Sequence, residues 1–152
     1  MNSQSGETEI IRRLFEEHVP SIVSGTVDIR GIVREPGNRS IVVVVQKDPA
    51  VDAVGACVGD RHSRAKRIAA ELRAHAPKEC LDIVRWDDSV EQFIANLVAP
   101  SKPARTSFDE ATRQVRVVLA RDSTQPVGLA LRAQALLQLT GWRLSVESPD
   151  ER

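Results

Sequence analysis

Aromatic side chains make up only 3% of the 152 residues, and tyrosine is absent. So few rings leave little material for a platform of stacked bases. Cysteine occurs twice, as Cys57 and Cys80, with no C-x-x-C pair. That spacing argues against a zinc knuckle and a disulfide framework, and fits an intracellular chain with free thiols. Neither sign of charge dominates, since 21 basic residues face 21 acidic ones. A polyanion would therefore have to be met by local clusters rather than by the field of the whole chain. No apolar run approaches the ~20 residues of a membrane span, and the polar stretch Met1 to Glu9 carries no apolar signal core. A cytoplasmic protein without a membrane partner is expected.

Hydrophobic residues reach 41% of the chain, too many for a disordered polymer. The length suits one medium domain or two small ones. Ile10 and Leu14, with Ile11 and Phe15, stand at helical spacing over residues 9–18, and Pro20 closes that helix. Val27, Ile29, Gly31 and Val33 alternate within a strand expected over 22–34. Pro36-Gly37-Asn38 reads as a turn, and Ile41 to Val45 as a strand covered on both faces. A short helix over 50–58 and a loop at Gly59 to His62 follow. Ser63 is then expected to cap a helix over 64–75, with Ala65, Ile68, Ala69 and Leu72 on one face. Pro77 ends it, and 80–86 forms a third strand.

The same element order then returns with little shared sequence. Asp87-Asp88 favour the start of a helix over 89–98, which places Val90, Phe93, Ile94 and Leu97 on one face. A connector with Pro100 and Pro103 leads to a strand ending near Phe108. After a turn over Asp109 to Thr112, Val115, Val117 and Leu119 alternate in the next strand. A short helix over 122–127, a helix over 130–139 capped by Gly141, and a strand through Trp142, Leu144 and Val146 complete the unit. Trp86 and Trp142 occupy comparable places in the two halves and are read as packing residues. The fold class is α+β, with two tandem αββααβ units packed as one body through the 89–98 helix. The first is expected over 9–87 and the second over 88–148, with 1–8 and 149–152 as tails.

The αββααβ order is that of a type II KH fold, and the wording of the sequence is more specific. The run from Leu14 to Ile22, Gly25-Thr26-Val27 and Ile32 to Gly37 resembles the entry to the first KH unit of the NusA family. Asp48 to Gly59 resembles the approach to that unit's nucleic-acid loop. Ile83 to Trp86 and Glu91 to Pro100 resemble its exit and linker helix, and Leu139 to Trp142 the end of the second unit. The resemblance runs over roughly residues 10–147. It implies single-stranded RNA as partner, with the transcription machinery or the ribosome as a further one, and a role in transcription elongation, termination or antitermination. Bacterial members carry a polymerase-binding domain and an OB-fold before the KH pair, for which there is no room here. The chain is therefore expected to be either a standalone paralogue or a piece of a longer protein.

KH units lay the nucleotide backbone against a Gly-x-x-Gly loop. The matching segment of the first unit is Gly59-Asp60-Arg61-His62, in which His62 replaces the second glycine and Asp60 repels phosphate. In the second unit it is Val127-Gly128-Leu129-Ala130, one residue short and without basic residues. Arg61, Arg64, Lys66 and Arg67 crowd the start of a helix, where the positive dipole end disfavours them unless an anion lies near. The expected RNA-binding residues are therefore Gly59, Asp60, Arg61, His62, Ser63, Arg64 and Arg67. Gly59 and the loop amides would clamp the backbone, Arg61 and Arg64 would meet phosphates, and Ser63 would add a hydrogen bond or only cap the helix. His62 either stacks on a base or marks lost binding. No Gly-Lys-Ser/Thr ending supports a P-loop. No Ser-His-Asp or Cys-His order and no paired carboxylates suggest catalysis, and His18 and His75 stand alone. No enzyme activity, cofactor or metal is expected. The alternative is a degenerate KH scaffold that binds protein, with little or no RNA binding.

Overall fold

A computed structural model describes residues 4–149 of the chain. Contacts divide the chain after Trp86 into two units, each with its own three-stranded sheet. Helices and two such sheets make a mixed α+β protein of tandem KH-type folds.

The first unit begins with α1 (Gln4–His18), α2 (Pro20–Ser24), β1 (Val27–Glu35) and β2 (Arg39–Gln46). It continues through α3 (Ala53–Val58), a 3-10 turn (Asp60–His62), α4 (Ser63–His75) and β3 (Cys80–Arg85). Ile11, Leu14 and Phe15 form the buried stripe of α1. That helix opens at Gln4, within the segment expected as a tail. Once the apolar stripe is docked, each preceding residue extends the helix at little further cost. Pro20 ends α1 but also opens α2, because its fixed φ suits a first helical position whose N–H needs no partner. The strand expected from residue 22 consequently starts at Val27.

In the first sheet β2 is central, antiparallel to β1 and parallel to β3. Pro36-Gly37-Asn38 joins β1 to β2, with Gly37 at a φ of 80° that favours glycine. Ile41, Val42, Val43 and Val44 expose no surface, as the unbroken apolar run implies. Val42 and Val44 join Ile11, Phe15, Ile68 and Leu72 in the core between sheet and helices.

The second unit contains α5 (Val90–Val98), β4 (Pro103–Asp109), β5 (Gln114–Leu119), α6 (Leu129–Thr140) and β6 (Arg143–Glu147). Its sheet repeats the first, with β5 central, antiparallel to β4 and parallel to β6. Val115, Val117 and Leu119 alternate into a core with Phe93, Ile94, Leu97, Ala135 and Leu136. Ser89, rather than either aspartate before it, caps α5 by accepting the Gln92 N–H; Asp87 accepts the Ser89 N–H. Trp142 is buried and meets Phe108 edge-on at 5.1 Å.

The helix expected over 122–127 is absent, so this unit runs α-β-β-α-β. Pro126 has no N–H to give a helix, and the segment is tied to partners distant in sequence. Ser101 Oγ donates to the Thr124 carbonyl at 2.5 Å, the Lys102 N–H donates to Ser123 Oγ at 2.8 Å, and Gln125 Nε2 donates to the Val146 carbonyl at 3.3 Å.

Candidate nucleic-acid interface

The loop of the first unit begins where α3 ends. Gly59 adopts φ 76° and ψ 173°, a conformation that L side chains avoid. A Cβ built there would stand 2.9 Å from Arg64 Cγ, 3.0 Å from Ser63 Oγ and 3.1 Å from the Arg64 nitrogen. Glycine is therefore required both by dihedral angle and by space. Arg61 and His62 follow at φ 54° and 65°, two consecutive non-glycine residues in the left-handed region.

This geometry corrects the expectation for Ser63. His62 is the residue flanking α4, while Ser63 is already its first helical residue, and no side-chain cap bond forms. Three loop amides are also committed within the protein. The Gly59 N–H donates to the Gly55 carbonyl at 2.9 Å, the His62 N–H to the Gly59 carbonyl at 3.1 Å, and the Ser63 N–H to the Asp60 carbonyl.

The basic residues around the loop are not equivalent. Arg61, Lys66 and Arg67 are exposed, as are Asp60, His62 and Ser63. Arg64 is half-buried and turns inward, its Nη1 donating to the Ala56 carbonyl at 2.8 Å. That bond ties α4 to α3. The Arg64 charge also reaches Cys57, whose thiol burial pushes up to about 11; Arg64 partly opposes the shift and Asp52 adds to it.

Beside the loop, a recess of about 230 Å³ is lined by His18, Ser63, Arg64 and Arg67. His18 comes from α1 and hydrogen-bonds Glu71 on α4. No local pattern signals this pair, whose members lie 53 positions apart. Glu17, His18 and Glu71 offer donor atoms within 4.8 Å of one another, but both carboxylates are solvent-exposed and His18 already has Glu71 as a partner.

The corresponding loop of the second unit is built differently. Gly128 takes φ 74° at the start of α6. Arg132, one turn into that helix, is buried; its Nε donates to the Val127 carbonyl at 2.7 Å and its Nη1 to the Leu97 carbonyl at 2.8 Å. The basic residue nearest this loop therefore fastens the loop to the end of α5. Each unit also holds an arginine over its tryptophan, Arg30 over Trp86 at 4.5 Å and Arg113 over Trp142 at 4.9 Å. No described helix is long and apolar enough to cross a membrane.

A family model described as the NusA-like first KH domain matches residues 5–86. Over 145 residues the chain is 36% identical to a protein of Halalkalibacterium halodurans named transcription termination/antitermination protein NusA. It is 35% identical over 142 residues to the protein of that name from Bacillus subtilis. These alignments take in 93% and 91% of this chain, but 37% of each relative, so the chain spans little more than a third of their length. Among solved structures, the crystal structure of APE1850 matches with a TM-score of 0.56 at 20% identity, covering 87% of this chain and 95% of that one. The latter likeness is one of fold.

Proposed function

This chain belongs to the family of NusA-like first KH domains, and on that premise we propose that it is a single-stranded RNA-binding module of transcription elongation, termination or antitermination. The observation that carries the reading is the Gly59–His62 loop with exposed Arg61, Lys66 and Arg67 at the start of α4. Phosphates lie against the loop, Arg61 and Arg67 neutralise them, and Ser63 offers its exposed hydroxyl. Arg64 acts by holding α4 on α3. The second unit's loop contributes little, because the neighbouring Arg132 is buried in structural bonds.

A second reading, a KH scaffold that binds protein and no longer grips RNA, is favoured by the loop amides already spent inside the protein. Titration of a labelled single-stranded RNA at two salt concentrations separates the two. Under the RNA reading, Arg61→Ala with Arg67→Ala weakens binding and flattens its salt dependence, because fewer counterions are released. Absence of binding by the unaltered chain at low salt rejects it in favour of the protein-binding scaffold.

A further inference from the structure

The second unit carries a cationic recess that the loop reading does not use. It has a volume of about 750 Å³ and is lined by Arg105, Arg116 and Arg121, with Val118 and Pro149 among its walls. Strand periodicity places the arginines. Val115, Val117 and Leu119 turn inward, so Arg116 and Val118 turn outward. Arg105 is the register partner of Val118 across β4–β5, and Glu147 is its partner across β5–β6, so both share the outer face. Arg121 follows β5 directly.

Three guanidinium groups around one opening repel one another, and among the described residues only Arg116 is hydrogen-bonded to a carboxylate. Arg116 donates from Nε and Nη2 to the two Glu147 oxygens. The Arg116 hydrogen bonds, acting against burial and helped by the charges of Arg116 and Arg105, hold the Glu147 carboxyl below its usual range. Among the described residues, the guanidinium groups of Arg105 and Arg121 have no hydrogen-bond or ion-pair partner. Among the described residues, no acidic one lines the recess. An extended anionic chain is the occupant whose charge matches this arrangement.

We propose that Arg105, Arg116 and Arg121 form a second RNA contact, in which the outer face of the second unit's sheet grips backbone phosphates independently of the degenerate Gly128 loop. The inference rests on the RNA-binding reading above. It gives the second unit a phosphate grip on a different face from the loop that a KH unit ordinarily uses.

The test uses the whole chain and a fluorescein-labelled single-stranded RNA of about twenty nucleotides, read by anisotropy over a range of potassium chloride concentrations. Arg105→Ala with Arg121→Ala should weaken binding roughly three- to tenfold. It should also lower the slope of log affinity against log salt by about 1.4, two phosphate contacts' worth for a single strand. Because neither guanidinium has a hydrogen-bond or ion-pair partner among the described residues, the thermal midpoint should move little. The pair Arg105→Lys and Arg121→Lys should restore most of the affinity and the slope. Unchanged affinity and slope in the alanine pair, alongside weakened binding in Arg61→Ala with Arg67→Ala, overturns the second contact and leaves the loop reading intact. No binding by the unaltered chain overturns the RNA reading itself. Capture of a poly-glutamate peptide in place of RNA, lost in the alanine pair, overturns the proposal in favour of an acidic protein partner.

Discussion

Arg34 meets Glu79 through two parallel hydrogen bonds, Nε to Oε2 and Nη2 to Oε1, both 2.9 Å, with the Glu79 side chain wholly buried. The same carboxylate accepts the Gly37 N–H at 2.9 Å and the Ser40 hydroxyl. The turn between β1 and β2 is thereby fastened to the residue that precedes β3. Burial opposes the charge on Glu79. The hydrogen bonds from Arg34, Ser40 and Gly37, with the Arg34 charge, outweigh it and hold the carboxyl below its usual range.

Removing one partner strands the other as a buried charge. Glu79→Gln should therefore destabilise the fold by about 3 kcal/mol, seen as a lower denaturant midpoint. Replacing both residues by methionine should cost much less than the single change, because no charge is then left unpaired. Similar losses in the single and double variants would show that the pair does not act as a unit.

The same carboxylate sets an acid limb. A folded-state pKa below the unfolded value, about 4.3 for glutamate, gives stability that is complete above that value. It is lost as pH falls through the lower, folded value. Denaturant midpoints collected between neutral pH and pH 2 should fall steeply in the native chain and less steeply in Glu79→Gln. Parallel curves would assign the acid limb to other groups.

Gly59→Ala should cost about 1–3 kcal/mol from the forbidden dihedral pair, with the close approach to Arg64 and Ser63 adding to it. A thermal midpoint lowered by several degrees, together with weaker RNA binding, is the expected result. His62→Gly relieves a left-handed residue without opening a cavity, since His62 is exposed. It should raise stability by about 1 kcal/mol. It should also raise RNA affinity about tenfold, ~1.4 kcal/mol, by clearing the backbone approach. A fall in affinity would mean that the imidazole stacks on a base.

Two serines at helix starts should behave differently. Ser89 accepts the Gln92 N–H at 3.3 Å, so Ser89→Ala should cost about 1 kcal/mol. Ser63 lies inside its helix without a cap bond, and Ser63→Ala should stay within about 0.5 kcal/mol. Chemical denaturation of the two variants side by side distinguishes the positions.

Cys57 exposes no surface, and burial raises its thiol to about 11. At pH 8 a soluble alkylating reagent should modify half-exposed Cys80 long before Cys57, as mass spectrometry of the digested chain would show. Equal rates would contradict the closed packing of α3 on the sheet.

The elements legible in the sequence are those whose pattern is local. Phe93, Ile94 and Leu97 repeat at helical spacing, Val115, Val117 and Leu119 alternate, and Pro36-Gly37-Asn38 carries its own turn chemistry. What escaped depends on partners far along the chain. Thr124 and Gln125 are hydrogen-bonded to Ser101 and Val146, and the short helix expected there does not form. The glycine and the basic cluster marked the loop, but nothing local announced two successive left-handed residues that displace Ser63 from the cap. Nor did the sequence announce an inward-turned Arg64. The outer-face arginines are separated by strand and turn, and only the register of β4 on β5 gathers them.

The parallel pairing of β2 with β3 also orders events during synthesis. The β1–β2 register needs only its three-residue turn and no later part of the chain. The registers that bring Cys80 beside Arg39 must await two further helices, and so long a loop closes more slowly than a hairpin. Glu79 sits just ahead of that last strand. Until it emerges, Arg34 lacks the Glu79 carboxylate. The ion pair is thus a late latch in a nascent chain, locking the hairpin only after α4 and the start of β3 have been translated.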